Sequence, residues 1–301
     1  MALAGAARGR SQERKIRAMS KRRKQAPPTH LTGRGLKGWK RIPRAAGRRG
    51  SRHLSDRWPE VVQRLQAAKH IALLLDFDGT IVPIQPRPEM VRLGLPTRRL
   101  IGRLAKHSRL TVCIVSGRRL SDLRRRAKVS GVRYVGLHGW EWDRKTSVAP
   151  KDKILEQTKF LLREELRSLA GIRLEDKGIS FAVHYRGATV GVARRAGVLL
   201  RKTLKPFGRQ LRVLKGKKVW EVLPPEVGGK GRAVHLLLEE LPSGTLPIYI
   251  GDDTTDESAF GELRHGITVR VGPPRSSFAR FRVRNPDEVL VFLRRLEAEI
   301  I

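Results

Sequence analysis

Four short polar clusters interrupt the apolar and basic segments of this chain, and their residue types point to chemistry on an anionic group. Asp76 and Asp78 stand two residues apart in DFDGT, directly after the apolar run Ile71-Ala72-Leu73-Leu74-Leu75. Two close carboxylates repel unless a cation or a proton sits with them, so the pair points to a divalent metal. Ser116-Gly117-Arg118 closes a second apolar run, LTVCIVSGR, and Lys230 lies near the start of the helical pattern GGKGRAVHLLLEEL. Asp252, Asp253 and Asp256 follow a third run, in LPIYIGDDTTDESAF. Three carboxylates from two such ends suit a hard cation such as Mg²⁺, which prefers oxygen ligands. A hydroxyl, an ammonium and backbone N–H groups at helix starts suit a phosphate. Singly, each cluster has an ordinary reading: Asp-Gly a turn, Asp-Asp a helix cap, Lys230 a solvated side chain, Ser-Gly a turn. Their joint occurrence at the ends of apolar runs is what marks them.

A parallel sheet would bring these clusters together. A short apolar run bounded by a turn signal fits a strand buried on both faces. The strand ends of an open α/β sheet converge on its carboxyl edge, where ligands bind. Before the central run, SDRWPEVVQRLQAA has helical spacing with Ser55 as its N-cap. After it, TRRLIGRLAKHS forms a helix opened by Pro96-Thr97, with Leu100, Ile101 and Leu104 on one face. The second buried run, the helix RRLSDLRRRAK and the strand VRYVGLHG complete a strand–helix rhythm that implies right-handed crossovers. After Gly139 the rhythm changes. A helix and two strands about the Lys177-Gly178 turn are followed by a second helix and two more strands, ending in LRVLKGKKVWEVLP. The first rhythm resumes at Gly228 and ends in a helix whose buried stripe is Val289, Leu290, Phe292, Leu293 and Leu296. The expected class is α/β: a Rossmann-like parallel-sheet core over residues 53–143 and 223–301, interrupted by an α+β domain over 144–222. Residues 1–52 are expected to be a disordered basic tail.

Charge locates that tail. The 301 residues hold 64 Lys and Arg against 28 Asp and Glu, a net charge of +36. Residues 1–50 carry 16 of those cations against the single acid Glu13, with no sustained hydrophobic period. Such a segment cannot bury enough apolar surface to offset its ordering entropy. It is read as a solvated tail, or as lying upstream of a later translation start near Met19, rather than as a nucleic-acid arm. Neither an aromatic-interleaved RNA motif nor a zinc spacing accompanies the charge. The lone Cys113, inside TVCIV, is a small core residue, and one cysteine permits no disulfide within the chain. No signal-peptide core and no 18-residue apolar run is present. These features lead us to expect a cytoplasmic protein that spans no membrane, with a monomer as the default.

DFDGT, the hydroxyl in VSGR, the late lysine and GDDTTD resemble the four motifs of the haloacid dehalogenase superfamily of phosphohydrolases. LDFDGTIVPI, GLHGWE, LEDKGISFAVHYR, KKVWEVLPPEVGGKGRAV and GDDTTDESAF narrow the resemblance to the trehalose-6-phosphate phosphatases, over roughly residues 70–295. PPEVGGKG carries one glycine more than the family form. The resemblance implies a Mg²⁺-dependent phosphatase in trehalose biosynthesis. Asp76 is then the nucleophile, and Asp78 the acid and base. Ser116 and Lys230 hold the transferring oxygens. Asp76, the main-chain carbonyl of Asp78, and Asp252 hold the metal. Asp256 sits in the metal's shell, directly or through water, and Asp253 orients its neighbours.

The inserted domain resembles the family's cap, in which Glu175, Lys177 and Glu221 read sugar hydroxyls through charge-assisted hydrogen bonds. Arg118, His138, Glu141 and Arg186 are further candidates near the phosphate or the cleft, while His184 fits a strand histidine as well as a ligand. Two other readings compete: a phosphatase for sucrose phosphate or a mannosylglycerate-type ester, and a basic nucleic-acid-binding protein on a phosphatase scaffold. GLHG and EDKG…HYR favour trehalose over the first. Intact Asp76, Asp78, Lys230 and Asp252 argue against the second.

Overall fold

The computed structural model describes residues 49–143 and 152–300. The expected tail therefore lies outside the described residues as far as position 48, and so does the expected domain boundary at residue 144. In chain order the strands are β1 (Arg49–Gly50), β2 (Arg52–His53), β3 (Ile71–Asp76), β4 (Leu110–Val115), β5 (Arg133–Gly136), β6 (Glu141–Trp142) and β7 (Arg173–Asp176). They continue as β8 (Phe181–His184), β9 (Arg212–Gly216), β10 (Val219–Leu223), β11 (Leu246–Gly251), β12 (Ile267–Val271), β13 (Ser276–Ser277) and β14 (Phe281–Val283). The α-helices are α1 (Trp58–Ala67), α2 (Leu95–Leu104), α3 (Leu120–Ala127), α4 (Lys153–Leu166), α5 (Val190–Leu204), α6 (Lys230–Glu239), α7 (Glu257–Glu262) and α8 (Pro286–Ile300). Among the described residues, no helix is long and apolar enough to cross a membrane.

Eight strands form one sheet in the order β2-β14-β12-β11-β3-β4-β5-β6. The pairings are parallel except that of β6 with β5. All six residues of β3 are buried because helices cover both faces of the sheet. Leu73 and Leu75 join Val61 of α1, Ile101 of α2, Leu123 of α3 and Phe292 of α8. Ala72 and Leu74 pack on the other side against Val234 and Leu237 of α6 and Phe260 of α7. Each buried leucine contributes about 1.5–3 kcal/mol, so this strand is anchored along its whole length and its carboxyl end is fixed. On α8, Val289, Phe292, Leu293 and Leu296 are buried, and Leu290 packs beside them half-buried.

A second sheet, antiparallel in the order β7-β8-β10-β9, is built wholly from residues 173–223. Its strands alternate as a half-covered sheet should. Phe181, Val183 and Val222 face α4 and α5, where Leu155, Leu162, Ala196 and Leu200 complete a separate core. The opposite face carries Arg173, Glu175, His184, Leu214, Gly216, Val219 and Glu221, and it roofs a cleft above the first sheet's carboxyl edge. Asp152 caps α4, accepting from the Ile154 N–H at 2.9 Å, and Thr189 caps α5.

Two sequence expectations need correction. The tail ends earlier than residue 52: β1 pairs with β13, and β2 with β14, so residues 49–53 belong to the sheets. Two-residue strands leave no hydrophobic period to read. Ser55 is not the cap of α1. It lies in a 3-10 turn over Ser55–Arg57, where the Arg57 N–H is already taken by Leu54 O at 3.1 Å. Its hydroxyl meets His53 Nδ1 instead, at 2.6 Å, and α1 opens at Trp58 with Pro59 in its first turn.

Candidate active site

The chemistry-bearing ends of β3, β4 and β11 meet the start of α6 under the second sheet. Asp76 closes β3 and is 4 % exposed. Its Oδ1 accepts from Lys230 Nζ at 2.5 Å and its Oδ2 from Thr80 Oγ1 at 3.0 Å. Burial pushes the Asp76 carboxyl well above its ordinary range; Lys230 opposes that push, while Asp256 and Asp252 add to it. Gly229 holds the N-cap position of α6, so Lys230 is that helix's first residue. Burial works against its charge, but Asp256 and Asp76 outweigh it and hold the ammonium protonated. Position 79 admits glycine alone on two counts. Its φ is +85°, and a Cβ there would lie 2.0 Å from Asp252 Oδ2.

Asp256 is the hub of the acidic loop. Its Oδ1 accepts from Lys230 Nζ and Tyr249 Oη, both at 2.8 Å. Its Oδ2 accepts from the Asp252 N–H at 3.0 Å and the Asp253 N–H at 2.9 Å. Asp252 Oδ2 accepts from the Lys217 ammonium; burial, only partly countered by Lys217, pushes the Asp252 carboxyl up to about 6. Oxygens of Asp76, Asp252 and Asp256 all lie within 4.8 Å of one another, and all three residues are buried. Three carboxylates against the ammonium groups of Lys230 and Lys217 leave a surplus negative charge. An all-oxygen donor set of that kind fits a hard divalent cation.

Arg118 serves the second aspartate. Its Nε and Nη2 clasp the Asp78 carboxylate at 2.7 Å each, while Nη1 reaches Asp122 at 2.8 Å. With its fork so engaged, Arg118 aims Asp78 across the cleft mouth, and it lines the cleft near which the sequence placed it. Three basic partners, Arg126, Arg118 and Arg125, outweigh burial and hold Asp122 down at about 2. Ser116 is buried and lines the cleft; its Oγ accepts from the Arg118 N–H at 3.2 Å.

Above lies a second charge cluster that ties the two sheets together. Glu221 Oε2 meets His138 Nε2 at 2.8 Å and Lys177 Nζ at 3.1 Å, and its Oε1 accepts from Ser180 Oγ at 2.8 Å. Lys177 Nζ also donates to Gly117 O at 2.7 Å. Burial would raise the Glu221 carboxyl, yet Lys177 and His138 bring it well below its ordinary range. His138 is presented by a strained turn, with φ +46° at Leu137 and +55° at His138. Glu175 pairs with His184 at 2.7 Å, so His184 is partnered and also lines the cleft. The cleft encloses about 730 Å³.

One further candidate, Glu141, sits elsewhere than the sequence placed it. Glu141 is outside the cleft, where its Oε2 accepts from the Leu120 N–H at the start of α3, at 2.5 Å. An unpaired N–H at a helix start draws a carboxylate. Asp253 turns from the carboxylate cluster toward the β9–β10 turn, accepting from the Lys217 N–H at 3.0 Å. Arg186 does line the cleft, with Nη2 donating to Lys217 O at 2.9 Å. Sequence reasoning missed Tyr249 and Lys217. Tyr249 sat unmarked inside an apolar run, and Lys217 was one of several lysines in KGKK.

Residues 74–283 match the family model described as trehalose-phosphatase. The chain belongs to the trehalose-phosphatase family. It is 33% identical over 280 residues to the trehalose-phosphate phosphatase of Mycolicibacterium paratuberculosis, covering 84% of this chain and 70% of that protein. Against the trehalose-phosphate phosphatase of Mycobacterium ulcerans the identity is 30% over 275 residues, covering 84% of this chain and 69% of that one. The chain is also 35% identical over 258 residues to an uncharacterized glycosyl hydrolase of Mycobacterium tuberculosis. That match covers 79% of this chain but spans only 19% of the longer protein. Among solved structures, the C-terminal domain of the C. albicans trehalose-6-phosphate phosphatase shares the fold with a TM-score of 0.73 at 22% identity. It covers 84% of this chain and 99% of that one.

Proposed function

We propose that this chain is a Mg²⁺-dependent phosphatase that hydrolyses trehalose 6-phosphate to trehalose and phosphate through an aspartyl-phosphate. The observation that carries this reading is the buried Asp76 carboxylate, set beside Lys230 and opposite Asp78 under a roof of paired charges. An Asp76 oxygen attacks phosphorus, the P–O bond to the sugar breaks, and Asp78 gives its proton to the departing sugar oxygen. Asp78 then takes a proton from water as that water attacks the phosphoenzyme, and phosphate leaves with Asp76 restored. Ser116 and Lys230 stabilise the transferring oxygens. Asp76, Asp252 and the Asp78 carbonyl, with Asp256 behind them, would hold Mg²⁺, which would offset the repulsion between a dianionic ester and an anionic nucleophile.

Residues 144–222 act as the cap in this reading. Glu175, Lys177, Arg186 and Glu221 offer charged partners for sugar hydroxyls on the cleft's roof. Closing the cap also keeps bulk water from the phosphoenzyme. The chain works as a cytoplasmic monomer on this small molecule, without nucleic acid.

Phosphate release should be measured on trehalose 6-phosphate, sucrose 6-phosphate, a mannosylglycerate-type ester and p-nitrophenyl phosphate, with Mg²⁺ and with a chelator. The expected kcat/KM for trehalose 6-phosphate exceeds the others by roughly two orders of magnitude or more, and chelation removes it. Comparable turnover of sucrose 6-phosphate would replace the trehalose reading with the broader one. A chain beginning at Arg49 should keep the full chain's kcat/KM, because every site residue lies at or beyond the carboxyl end of β3. A tenfold loss, worth about 1.4 kcal/mol, would make the tail part of the enzyme.

A further inference from the structure

The turn between β9 and β10 rests on the acidic loop after β11. A Cβ at Gly216 would lie 2.8 Å from Asp253 Oδ2, so the two segments touch there. The Lys217 N–H donates to that same oxygen at 3.0 Å, and the Thr254 hydroxyl donates to Lys215 O. Arg186 fixes the Lys217 carbonyl from the other side, at 2.9 Å. These contacts to the main chain aim the Lys217 side chain at Asp252, whose Oδ2 accepts from its ammonium. Asp252 is buried, and Lys217 is its only salt-bridge partner among the described residues. The Lys217 side chain is 37 % exposed and borders the open cleft.

We infer that Lys217 is a built-in counter-cation, whose ammonium and a divalent ion take the same oxygen of Asp252 in alternation; this rests on the metal reading above. Lys230 neutralises Asp76 and Asp256 but does not touch Asp252. A bare buried carboxylate is costly, and Lys217 relieves that cost when no metal is bound. With a divalent ion on the same oxygen, two cations would stand within a few ångströms in a medium of low dielectric, and one must leave. The lysine can leave. Its stem is flexible, the cleft beside it is open, and the turn keeps its main-chain contacts to Asp253, Thr254 and Arg186. The metal-competent state is then only a fraction of the metal-free ensemble, and apparent metal affinity falls by that fraction.

Calorimetric titration of the full chain with Mg²⁺ tests this without any turnover. Lys217→Met, which keeps the stem and removes the charge, should bind Mg²⁺ about tenfold more tightly. Lys217→Arg keeps the charge and should bind within roughly threefold of the unaltered chain. An unchanged or weakened Kd in Lys217→Met overturns the inference, as does equal tightening in both variants. Absence of Mg²⁺ binding to every form overturns the metal reading and this inference with it, whereas binding that ignores position 217 overturns this inference alone. On the unaltered chain, acetylation of Lys217 by an N-hydroxysuccinimide ester, followed by peptide mass spectrometry, should speed up several-fold on adding Mg²⁺. An equal rate with and without the ion also overturns it.

Discussion

Asp76→Asn is expected to lower kcat/KM on trehalose 6-phosphate by roughly four orders of magnitude or more, with the fold left intact. The change removes a charged nucleophilic oxygen and replaces it with a near-isosteric amide. Its remaining oxygen can still accept from Lys230, and Thr80 can turn its hydroxyl to accept from the new amide, so both contacts of Asp76 find a counterpart. The measurement is phosphate release by the purified variant, beside its Tm and an acid-quenched search for phosphoprotein. Acid-stable phosphate on the unaltered chain and none on the variant is the expected pair. Retention of more than about 1% of the activity, or about 2.7 kcal/mol of the lost barrier reduction, would end the role of Asp76 as nucleophile.

Glu221→Ala should produce the largest loss of stability. Glu221 is buried between Lys177, His138 and Ser180. Removing it leaves a lysine and a histidine with no carboxylate, and breaking a buried pair from one side costs about 3–5 kcal/mol. In a chain of this size that is roughly 6–20 °C in Tm, read by calorimetry at neutral pH. Glu221→Gln keeps the shape and should lose less. The sign of the pH dependence follows from the depressed carboxyl. Its contribution is present above the ordinary glutamate value of 4.5 and is lost as pH falls through the folded-state value. The stability gap between the unaltered chain and Glu221→Gln should therefore close in acid. A constant gap from neutral to strongly acidic pH would mean that the carboxylate's charge is not what the junction uses. In turnover, Glu221→Ala should damage trehalose 6-phosphate more than p-nitrophenyl phosphate, which has no sugar to be read.

Much of this architecture was legible because burial on both faces leaves a plain mark. The runs over β3, β4 and β11 are continuously apolar, and each ends in the polar residues that reach the cleft. The four strands β7 to β10 were legible as two pairs about turns. What the sequence hid were partnerships. Arg118 in VSGR was a candidate near the phosphate or the cleft, and only the fold shows its fork closed on Asp78 and Asp122. Glu141 followed a cleft motif by two positions, yet its carboxylate is taken by the Leu120 N–H at the start of α3. Lys217 was indistinguishable from Lys215 and Lys218 until the turn was set against Asp253. Residues 49–52 read as tail because Arg and Gly carry no period, and their place is fixed only by β13 and β14.

The position of β3 in its sheet also governs how the protein can be made. Its neighbour on one side, β4, starts some 40 residues after it, but on the other side Leu246 registers with Ile71, about 175 residues later. At roughly 5–20 residues per second of synthesis, the strand bearing Asp76 waits about 10–35 s on the ribosome with one apolar edge unpaired. Through that interval it is a template for any other strand, including its copy on a neighbouring polysome. The residues between, which include the whole second sheet and its own core, can fold meanwhile as a local unit and keep the nascent chain from presenting a longer sticky surface. Yield in a heterologous host should thus depend on translation rate and on chaperones that hold extended apolar segments, more than on the stability of the finished protein.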